Sequence, residues 1–383
     1  MAYPHERPAR RVEGAAQFSP AAMWADFARR EADLRRRAAA EGFSRREFLA
    51  SLAAAGSATG MGAAAAACAL AAQAPGADAA SAEAPDSPAD DSGAADAPAA
   101  PPLKTSRVVV VTHPEVIIKG YRVNPPIVRA MLDRALVELT GRRTEKEAWA
   151  EVAREGDFVA VKHNTMHAPT LHSHPEITTV LSERLTQTAG VDPKRFLAVD
   201  RRLPEPYDAL SEPFTLPSRN LATRLRRLYT EAATAVVNVS VLKTHFGEGL
   251  SAALKNHLGS VNNPSAYHGW EPDRMPRSLP ELNALPPLRR KTRLVVLDAV
   301  RPLYAGGPFD DPAYRWNYRA LVVARDPVAA DAVGLRILEA RRAEARGEAW
   351  PMTAARAMVA WGQQIGLGAA DPDRIDRVEV DMG

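Results

Sequence analysis

The sequence predicts an α/β protein with a mainly parallel sheet and flanking helices, preceded by a signal segment and a disordered linker. Short, continuous apolar runs such as residues 107–111 are typical of strands that are covered on both faces. Segments with the apolar spacing of helices separate these runs, and this alternation favours a parallel sheet. Both patterns begin only near residue 103, so we predict a single α/β domain over residues 103–383.

The predicted strands share runs of Val, Leu, Ala or Phe that are bounded by polar residues. They are residues 107–111, 158–162, 196–199, 235–241, 293–297, 320–324 and 377–380. The first predicted helix has Asn124 as its cap, Pro125 in its first turn and Gly141 at its end. Further helices are predicted to begin at Ser173, Ser218, Asp326 and the loop that ends at Gly249.

Two predicted connections are longer than ordinary loops. Residues 262–287 are rich in Pro, and residues 304–318 contain five aromatic residues. Loops of this kind form lids over binding sites, but they also form aromatic caps that pack over a sheet edge. The sequence leaves both interpretations open.

Residues 1–74 are predicted to be a twin-arginine export signal. Arg45 and Arg46 stand one residue before the uncharged run that starts at Phe48. A membrane-spanning anchor is the alternative, although the run consists mainly of Ala and Gly, which insert poorly. Residues 75–102 contain six Pro and no aromatic residue, which predicts a disordered linker.

The signal predicts an exported protein, in the periplasm or cell envelope, whose partner is the twin-arginine export machinery. The single cysteine, Cys68, lies in a degenerate lipoprotein motif. A lipid on Cys68 and an incidental cysteine are both open interpretations. Apart from the signal or that lipid, we expect no contact with a membrane.

Composition excludes several classes of protein. Because the one cysteine precedes the α/β region, a disulfide framework and a cysteine-ligated zinc site are excluded there, and no iron–sulfur cluster is expected. A net charge of +3 is too small to indicate a nucleic-acid partner, and we predict none.

Polar residues follow several of the predicted strands. Because ligands of open parallel sheets bind beyond the carboxyl ends of the strands, these residues predict one crevice for a small anionic ligand. The predicted catalytic groups are Lys243, His245 and Asp298. The predicted ligand-binding residues are Lys162, Asn164, Thr244, Gly249, Lys255, Asn256, Gly306 and Gly307. Lysines that extend into water and an Asp298 that anchors a turn are the structural alternatives.

Histidines cluster near the same predicted strand ends. His163, His245 and Asp298 form a candidate set of ligands for a divalent transition metal of unknown identity, since imidazole and carboxylate suit such ions. The alternative is that some of these histidines lie in loops or beside helices. His174, for example, is predicted in the first turn of a helix.

The glycines at 247 and 249 are predicted to open a helix whose free N–H groups suit an anion. Residues 247–252 fit a G-x-G-x-x-A pattern, but they are separated from the strand and no acidic strand end follows, so a dinucleotide site is rejected. A phosphate-binding G-x-x-x-x-G-K-S/T loop is absent. Ser251 lacks the second glycine of a nucleophile elbow, which argues against a serine hydrolase.

Five sequence blocks together resemble the family called domain of unknown function 362. Residues 156–164 (GDFVAVKHN) are similar to its "GDxVxIKxN" block, and residues 237–245 (VNVSVLKTH) to its "INxPxLKTH" block. Residues 253–259 (ALKNHLG), 294–300 (LVVLDAV) and 326–333 (DPVAADAV) resemble three further blocks, in family order.

This resemblance implies an α/β fold but little about the reaction. Some relatives carry a ferredoxin-like iron–sulfur module, for which this chain has no cysteines. By matching position, the resemblance gives weight to Lys162, Asn164, Lys243, Thr244, His245, Lys255, Asn256, Asp298, Asp326 and Asp331.

Three functions are compatible with the sequence. The first is an exported protein, enzyme or binder, with a site for a small anionic ligand, a metal or both. The second is a non-catalytic module that binds a metal or cofactor. The third is an interaction protein whose aromatic loops contact a partner.

Overall fold

A computed structural model describes residues 105–120, 122–166, 168, 170–245, 249–267, 275–308 and 310–383. The predicted signal region, the linker and Cys68 lie outside the described residues. Within the described part of the chain, no helix has the length and apolar character needed to cross a membrane.

The core of the fold is a sheet of eight described strands flanked by helices. The strands are β1 (Ser106–Thr112), β2 (Ile117–Lys119), β3 (Arg122–Val123), β4 (Val159–Lys162), β5 (Phe196–Val199), β6 (Phe214–Leu216), β7 (Leu221–Thr223), β8 (Ala235–His245), β9 (Gly249–Ser251), β10 (Thr292–Leu303), β11 (Ala320–Ala324) and β12 (Ile375–Asp381). The sheet has the order β12-β1-β11-β10-β8-β4-β5, and β9 pairs with the end of β8. Two small hairpins, β2-β3 and β6-β7, lie outside it.

Most neighbours in the sheet are parallel, which confirms the predicted α/β class in a mixed form. The exceptions in the main order are β11, which is antiparallel to both β1 and β10, and β9, which is antiparallel to β8. Because β11 runs in the opposite direction, its carboxyl end lies where the neighbouring strand β10 begins. Arg325 and Asp326, which follow β11, therefore lie at that end of the strands. Arg325 and Asp326 therefore do not lie with the polar residues at the end of β8.

The helices are α1 (Pro125–Thr140), α2 (Glu145–Ala150), α3 (Pro175–Gln187), α4 (Ala253–Asn256), α5 (Met275–Ala284), α6 (Pro286–Lys291), α7 (Pro327–Arg346) and α8 (Thr353–Gln364). Three helices predicted from caps and apolar spacing are confirmed as α1, α3 and α7. In α1, Gly141 ends the helix with a φ of 65°, a conformation that glycine adopts without strain.

The prediction of a helix that begins at Ser218 is wrong. Residues Pro217–Arg219 form only a 3₁₀ turn, since Asn220 adopts a φ of 47° and ends it. The following leucines then reach the core from β7 and from a short π-helix, Leu228–Ala232, rather than from one face of a long helix.

Two further elements differ from the sequence prediction around Gly249. Gly249 begins β9 instead of a helix, because β8 extends beyond the end of β4 and offers an edge with which β9 pairs. Of the two predicted long loops, residues 262–287 contain α5 and the start of α6, whereas residues 304–318 have only a short 3₁₀ turn, Pro312–Tyr314.

The two faces of the sheet bury separate apolar layers. Along β8, Val237 and Val239 pack against the layer that includes α1 and α3, whereas Val236 and Leu242 pack against the layer that includes α7 and α8. Such two-sided burial explains why β8 and β10 read as nearly continuous apolar runs.

Candidate functional site

β8 and β10 are longer than the sequence predicts, and this changes where the predicted site residues lie. Lys243, Thr244 and His245 are the last residues of β8 rather than the residues that follow it. Asp298 lies inside β10, which continues to Leu303. Pairing with β9 and β10 therefore holds the backbone at the end of β8, which fixes the positions from which its side chains project.

Lys162, the last residue of β4, is fully buried and lies in a dense hydrogen-bond network. Its Nζ atom donates to the carbonyl oxygen of His163 at 2.6 Å, to Asp200 Oδ1 at 2.7 Å and to Asn256 Oδ1 at 3.2 Å. Three acceptors match the three protons of an ammonium group. This lysine is thus satisfied as a cation within the fold.

Asn256, in α4, braces the same network. Its Nδ2 atom donates to the carbonyl oxygen of Lys162 at 2.9 Å, to Asn238 Oδ1 at 2.7 Å and to the carbonyl oxygen of Val239 at 3.0 Å. Asn238 in turn donates from Nδ2 to the carbonyl oxygen of Ala253 at 2.9 Å. These bonds fasten α4 to the end of β4 and to the first half of β8.

Asp200, which sequence reasoning did not select, is the counterion of Lys162. Its Oδ2 atom accepts hydrogen bonds from the backbone N–H of Thr165 at 2.9 Å and from Thr165 Oγ1 at 2.6 Å. Burial alone would raise the pKa of Asp200, but Lys162 and the Thr165 donors outweigh it and lower that pKa to about 2. The signal for Asp200 was its position directly after β5.

Lys243 and Lys162 are both buried, and burial lowers the pKa of both amines, but their hydrogen bonds differ. It is 1% exposed, and its Nζ atom has no hydrogen-bond partner among the residues that the structure describes. Burial and the nearby ammonium of Lys255 lower the pKa of Lys243 to about 7, while the carboxylates of Asp200 and Asp310 offset only part of this. Lys243 therefore loses its proton far more readily than an exposed lysine does.

Both carboxylates that act on Lys243 face other cations. Asp200 binds Lys162, as described above, and Asp310 forms an ion pair of 3.5 Å with Arg315. Arg201 adds to the positive potential around the Lys243 amine. The amine consequently lies among charges without a hydrogen bond to any of them.

The side-chain hydroxyl of Thr244 contacts Gly307, one of the two neighbouring glycines that were predicted to bind the ligand. The N–H group of Gly307 donates to Thr244 Oγ1 at 3.1 Å. A Cβ atom on Gly307 would lie 1.8 Å from the carbonyl oxygen of Thr244, so this position requires glycine for close packing. The neighbouring Gly306 has a φ of 76° and faces the Tyr314 ring. Within the described residues, both glycines thus have packing roles.

Asp298 forms a buried pair with His174, which the sequence analysis placed in the histidine cluster and at the start of a helix. Asp298 Oδ2 accepts from the backbone N–H of His174 at 2.8 Å and lies 2.6 Å from His174 Nδ1. Burial opposes protonation of His174, but the contact with Asp298 prevails and raises the pKa of this histidine. A carboxylate on Nδ1 orients the ring and leaves Nε2 for proton transfer.

The predicted single crevice is divided by the sheet. Lys162 shares the face of Ala160, which packs on the α4 and α7 side, whereas Asp298 shares the face of Val296, which packs on the α1 and α3 side. Asp298 therefore lies with His174 on the opposite face from the network around Lys162 and Asn256.

The three predicted metal ligands do not form one cluster. His163 Nδ1 lies 3.5 Å from Thr178 Oγ1, and burial and Lys162 lower the pKa of this histidine. His245 is buried at the end of β8, opposite Gly249 of β9. No group of three or more His, Cys, Asp or Glu residues in the described part of the chain is arranged to hold a metal ion.

The helix start that was predicted to bind an anion is occupied by the carboxylate of Asp331. The carboxylate accepts from the backbone N–H groups of Ala253 at 2.7 Å and of Leu254 at 3.0 Å, the first residues of α4. Burial raises the pKa of Asp331 to about 7. Gly249 lies in β9, where a Cβ atom would approach the backbone nitrogen of Ala355 to 2.8 Å.

Two other predicted positions have structural roles in the described residues. Asp326 caps α7 through bonds to the N–H groups of Val328 and Ala329, which confirms its interpretation as a helix cap. Asn164 exchanges hydrogen bonds with Ser173 through its backbone, and its Oδ1 atom is buried without a donor.

Comparison with known proteins supports the resemblance seen in the sequence. The model of the family described as "Domain of unknown function (DUF362)" matches residues 215–336, a segment that contains Lys243, Lys255 and Asp298. No curated protein matches the chain significantly. A solved structure of a Thermotoga maritima protein from a structural genomics consortium matches with a TM-score of 0.29 and 11% identity. The match covers 65% of this chain and 61% of that one, so this chain spans less than two thirds of the length of that structure.

Proposed function

We propose that this protein binds a small anionic ligand beside Lys243, at the end of β8, and acts on it as an enzyme. The observation that carries the proposal is the buried Nζ atom of Lys243, which has no acceptor among the described residues although Lys255 lies in its electrostatic reach. A buried polar group without a partner is costly, and such groups persist where a ligand completes them.

An anion beside Lys243 would remove this cost. Its oxygen atoms would accept hydrogen bonds from Nζ, and its charge would offset the repulsion between Lys243 and its cationic neighbours Lys255 and Arg201. The two nearby carboxylates, Asp200 and Asp310, already face Lys162 and Arg315. The ligand would therefore be the acceptor that the described residues do not provide.

Catalysis is favoured over simple binding because Lys243 can exchange a proton near neutral pH. A group whose pKa lies near 7 serves as both acid and base at that pH, whereas an ordinary lysine remains protonated. Perturbed pKa values of this kind cluster at functional sites.

Binding is tested with inorganic phosphate and glyoxylate, each added to the full chain at constant ionic strength while thermal unfolding is followed. We expect a saturable rise of the unfolding midpoint, since a ligand that binds only the folded state stabilises it by about 2.7 kcal/mol at one hundred times its Kd. Chloride at the same ionic strength controls for screening.

Two variants make the binding test specific. K243M should lose the response to phosphate and glyoxylate. K291M is the matched control, because Lys291 donates to the carbonyl oxygens of Tyr229 and Thr230 just before β10, at the other end of the strands. Absence of any response in the unsubstituted protein, or a response that K243M retains, would contradict the proposed site.

Export through the twin-arginine machinery is a further part of the proposed function. It is supported by Arg45 and Arg46, which lie one residue before the long uncharged run. The double variant R45K/R46K should remain in the cytoplasm of the native host, while the unsubstituted chain reaches the periplasm or cell envelope. Equal export of both proteins would contradict this route.

A further inference from the structure

We propose that Lys243 is a nucleophile that forms an imine with the carbonyl carbon of a small oxo acid. This inference rests on the proposed anion site and names its substrate class. The carboxylate of such a ligand would meet the positive potential of Lys255 and Arg201, and its carbonyl carbon would meet the amine of Lys243.

The hydrogen bonds of the two buried lysines carry the inference. Lys162 has three oxygen acceptors within 3.2 Å and is thereby held as an ammonium ion, which has no lone pair. Lys243 has no acceptor among the described residues. A buried ammonium without acceptors is strongly disfavoured, whereas a neutral amine in the same position keeps its lone pair available for attack.

The surroundings of Lys243 fit this chemistry in two further ways. Its backbone is fixed on both sides, since Lys243 is in register with Ser251 of β9 and with Leu303 of β10. A fixed backbone limits the positions that the amine can occupy, which lowers the entropic cost of attack. In addition, desolvation and a neighbouring cation are the two conditions that activate a lysine as a nucleophile, and both are met here.

The step is balanced without any oxidant or reductant. The amine lone pair forms a bond to the carbonyl carbon, and the electrons of the C=O double bond move to the oxygen. A proton passes from nitrogen to that oxygen, which gives a carbinolamine. The nitrogen lone pair then forms the C=N bond, and the hydroxyl leaves as water with the remaining proton of the nitrogen.

The test is trapping in the full, unsubstituted chain at pH 7. The protein is incubated with glyoxylate, the smallest oxo acid with an aldehyde carbon, and then reduced with sodium borohydride. Reduction converts an imine into a stable carboxymethyl amine, which mass spectrometry of peptides assigns to a residue. We expect modification of Lys243 to exceed that of the exposed Lys194 by about tenfold, because almost all of an ordinary lysine is protonated at this pH.

Lys162 and the variant K243R provide the controls. Lys162 should remain unmodified although it is equally buried, because its nitrogen is held as a cation by three acceptors. K243R should lose the site-specific adduct while the modification of Lys194 is unchanged. If K243R does not fold, the comparison of Lys243, Lys162 and Lys194 in the unsubstituted chain still decides the question.

Each outcome separates this inference from the proposed anion site. A thermal response to phosphate and glyoxylate without an adduct on Lys243 would overturn the imine and leave the anion site intact. Equal modification of Lys243 and Lys194 would also overturn the imine. Absence of both the thermal response and the adduct would overturn the inference and the proposed function together.

Discussion

Lys162 and Lys243 lie near the ends of neighbouring parallel strands, and both are buried, yet their hydrogen bonds differ. The Nζ atom of Lys162 contacts three acceptors, and its counterion Asp200 receives two more hydrogen bonds from Thr165. The Nζ atom of Lys243 contacts none that the structure describes. The first lysine therefore holds neighbouring segments together, and the absence of a described acceptor at the second favours the proposed ligand site.

The local packing reinforces this difference. Around Lys162, side chains that are distant in sequence converge, and Gly259 lies so close that a Cβ atom there would be 2.6 Å from Lys162 Cε. Around Lys243, the backbone is fixed by strand pairing and by the contact between Thr244 and Gly307. Backbone contacts hold both regions, but of the two lysines only Lys162 has hydrogen-bond acceptors among the described residues.

The largest expected effect is the contrast between K162M and K243M. K162M leaves Asp200 as a buried charge without its ion-pair partner and should lower the free energy of unfolding by about 3–5 kcal/mol. K243M removes no hydrogen bond among the described residues and should change that free energy by about 1 kcal/mol or less. Chemical denaturation of both variants measures the difference.

The double variant K162M/D200L tests the cause of that contrast. Since it removes both charges, it should recover part of the stability that K162M loses. Equal losses in K162M and K243M would show that the two lysines are not distinguished by their partners.

Acid should weaken the Lys162 region selectively. The pKa of Asp200 is lowered from its ordinary value of 3.8 to about 2, so its ion pair stabilises the fold fully above about pH 4. That contribution, about 2 kcal/mol, is lost as the pH falls from about 4 to 2. In D200N the unfolding free energy should change less with pH over this window, as denaturation at several pH values would reveal. An unchanged pH dependence would be evidence against the ion pair.

G307A should displace the backbone of Thr244, the residue that follows Lys243. Because the added methyl would lie 1.8 Å from the Thr244 carbonyl oxygen, the backbone must shift, at a cost of about 2 kcal/mol. G141A is the control, since its methyl meets no atom within 4 Å and its cost of about 1 kcal/mol arises from the positive φ alone. We expect G307A, but not G141A, to weaken phosphate binding. Unaltered binding in both variants would separate Gly307 from the site.

The smallest expected effect concerns His174, which lies with Asp298 on the face of the sheet opposite to Lys162. Its contact with Asp298 raises the histidine pKa, so the pair stabilises the fold below about pH 6.5 and loses that contribution as the pH rises through the raised pKa. In an NMR titration, D298N should lower the pKa of His174. His257, whose pKa burial lowers to about 3, should stay neutral throughout and serves as the internal reference. A His174 pKa that is insensitive to D298N would exclude the pair.

Local patterns in the sequence predicted much of the fold. Continuous apolar runs gave the main strands of the sheet, and Asn124 with Gly141 gave the bounds of α1. These features depend on residues within a few positions of one another, so they can be read without knowledge of the rest of the chain. Where a local conformation overrode the pattern, as at Asn220 before β7, the prediction failed.

The candidate site was predictable only in part. The weight on Lys162, Lys243 and Asn256 came from position and resemblance, and Lys162 does contact Asn256. Asp200 was missed, and the pairing of His174 with Asp298 was not predicted, since no residue near either one in the sequence indicates its partner. His174 lies 124 positions from Asp298, and Asp200 lies 38 positions from Lys162.

By itself, the sequence determined which segments become buried strands and helices, because the periodicity of apolar side chains is a local property. Only the tertiary structure decided that β11 runs against its neighbours, that Asp331 occupies the start of α4, and that one buried lysine has acceptors while the other has none among the described residues. The reason is physical: a hydrogen bond or an ion pair depends on distances of about 3 Å between atoms, and such distances are set by chain pairing across the whole fold.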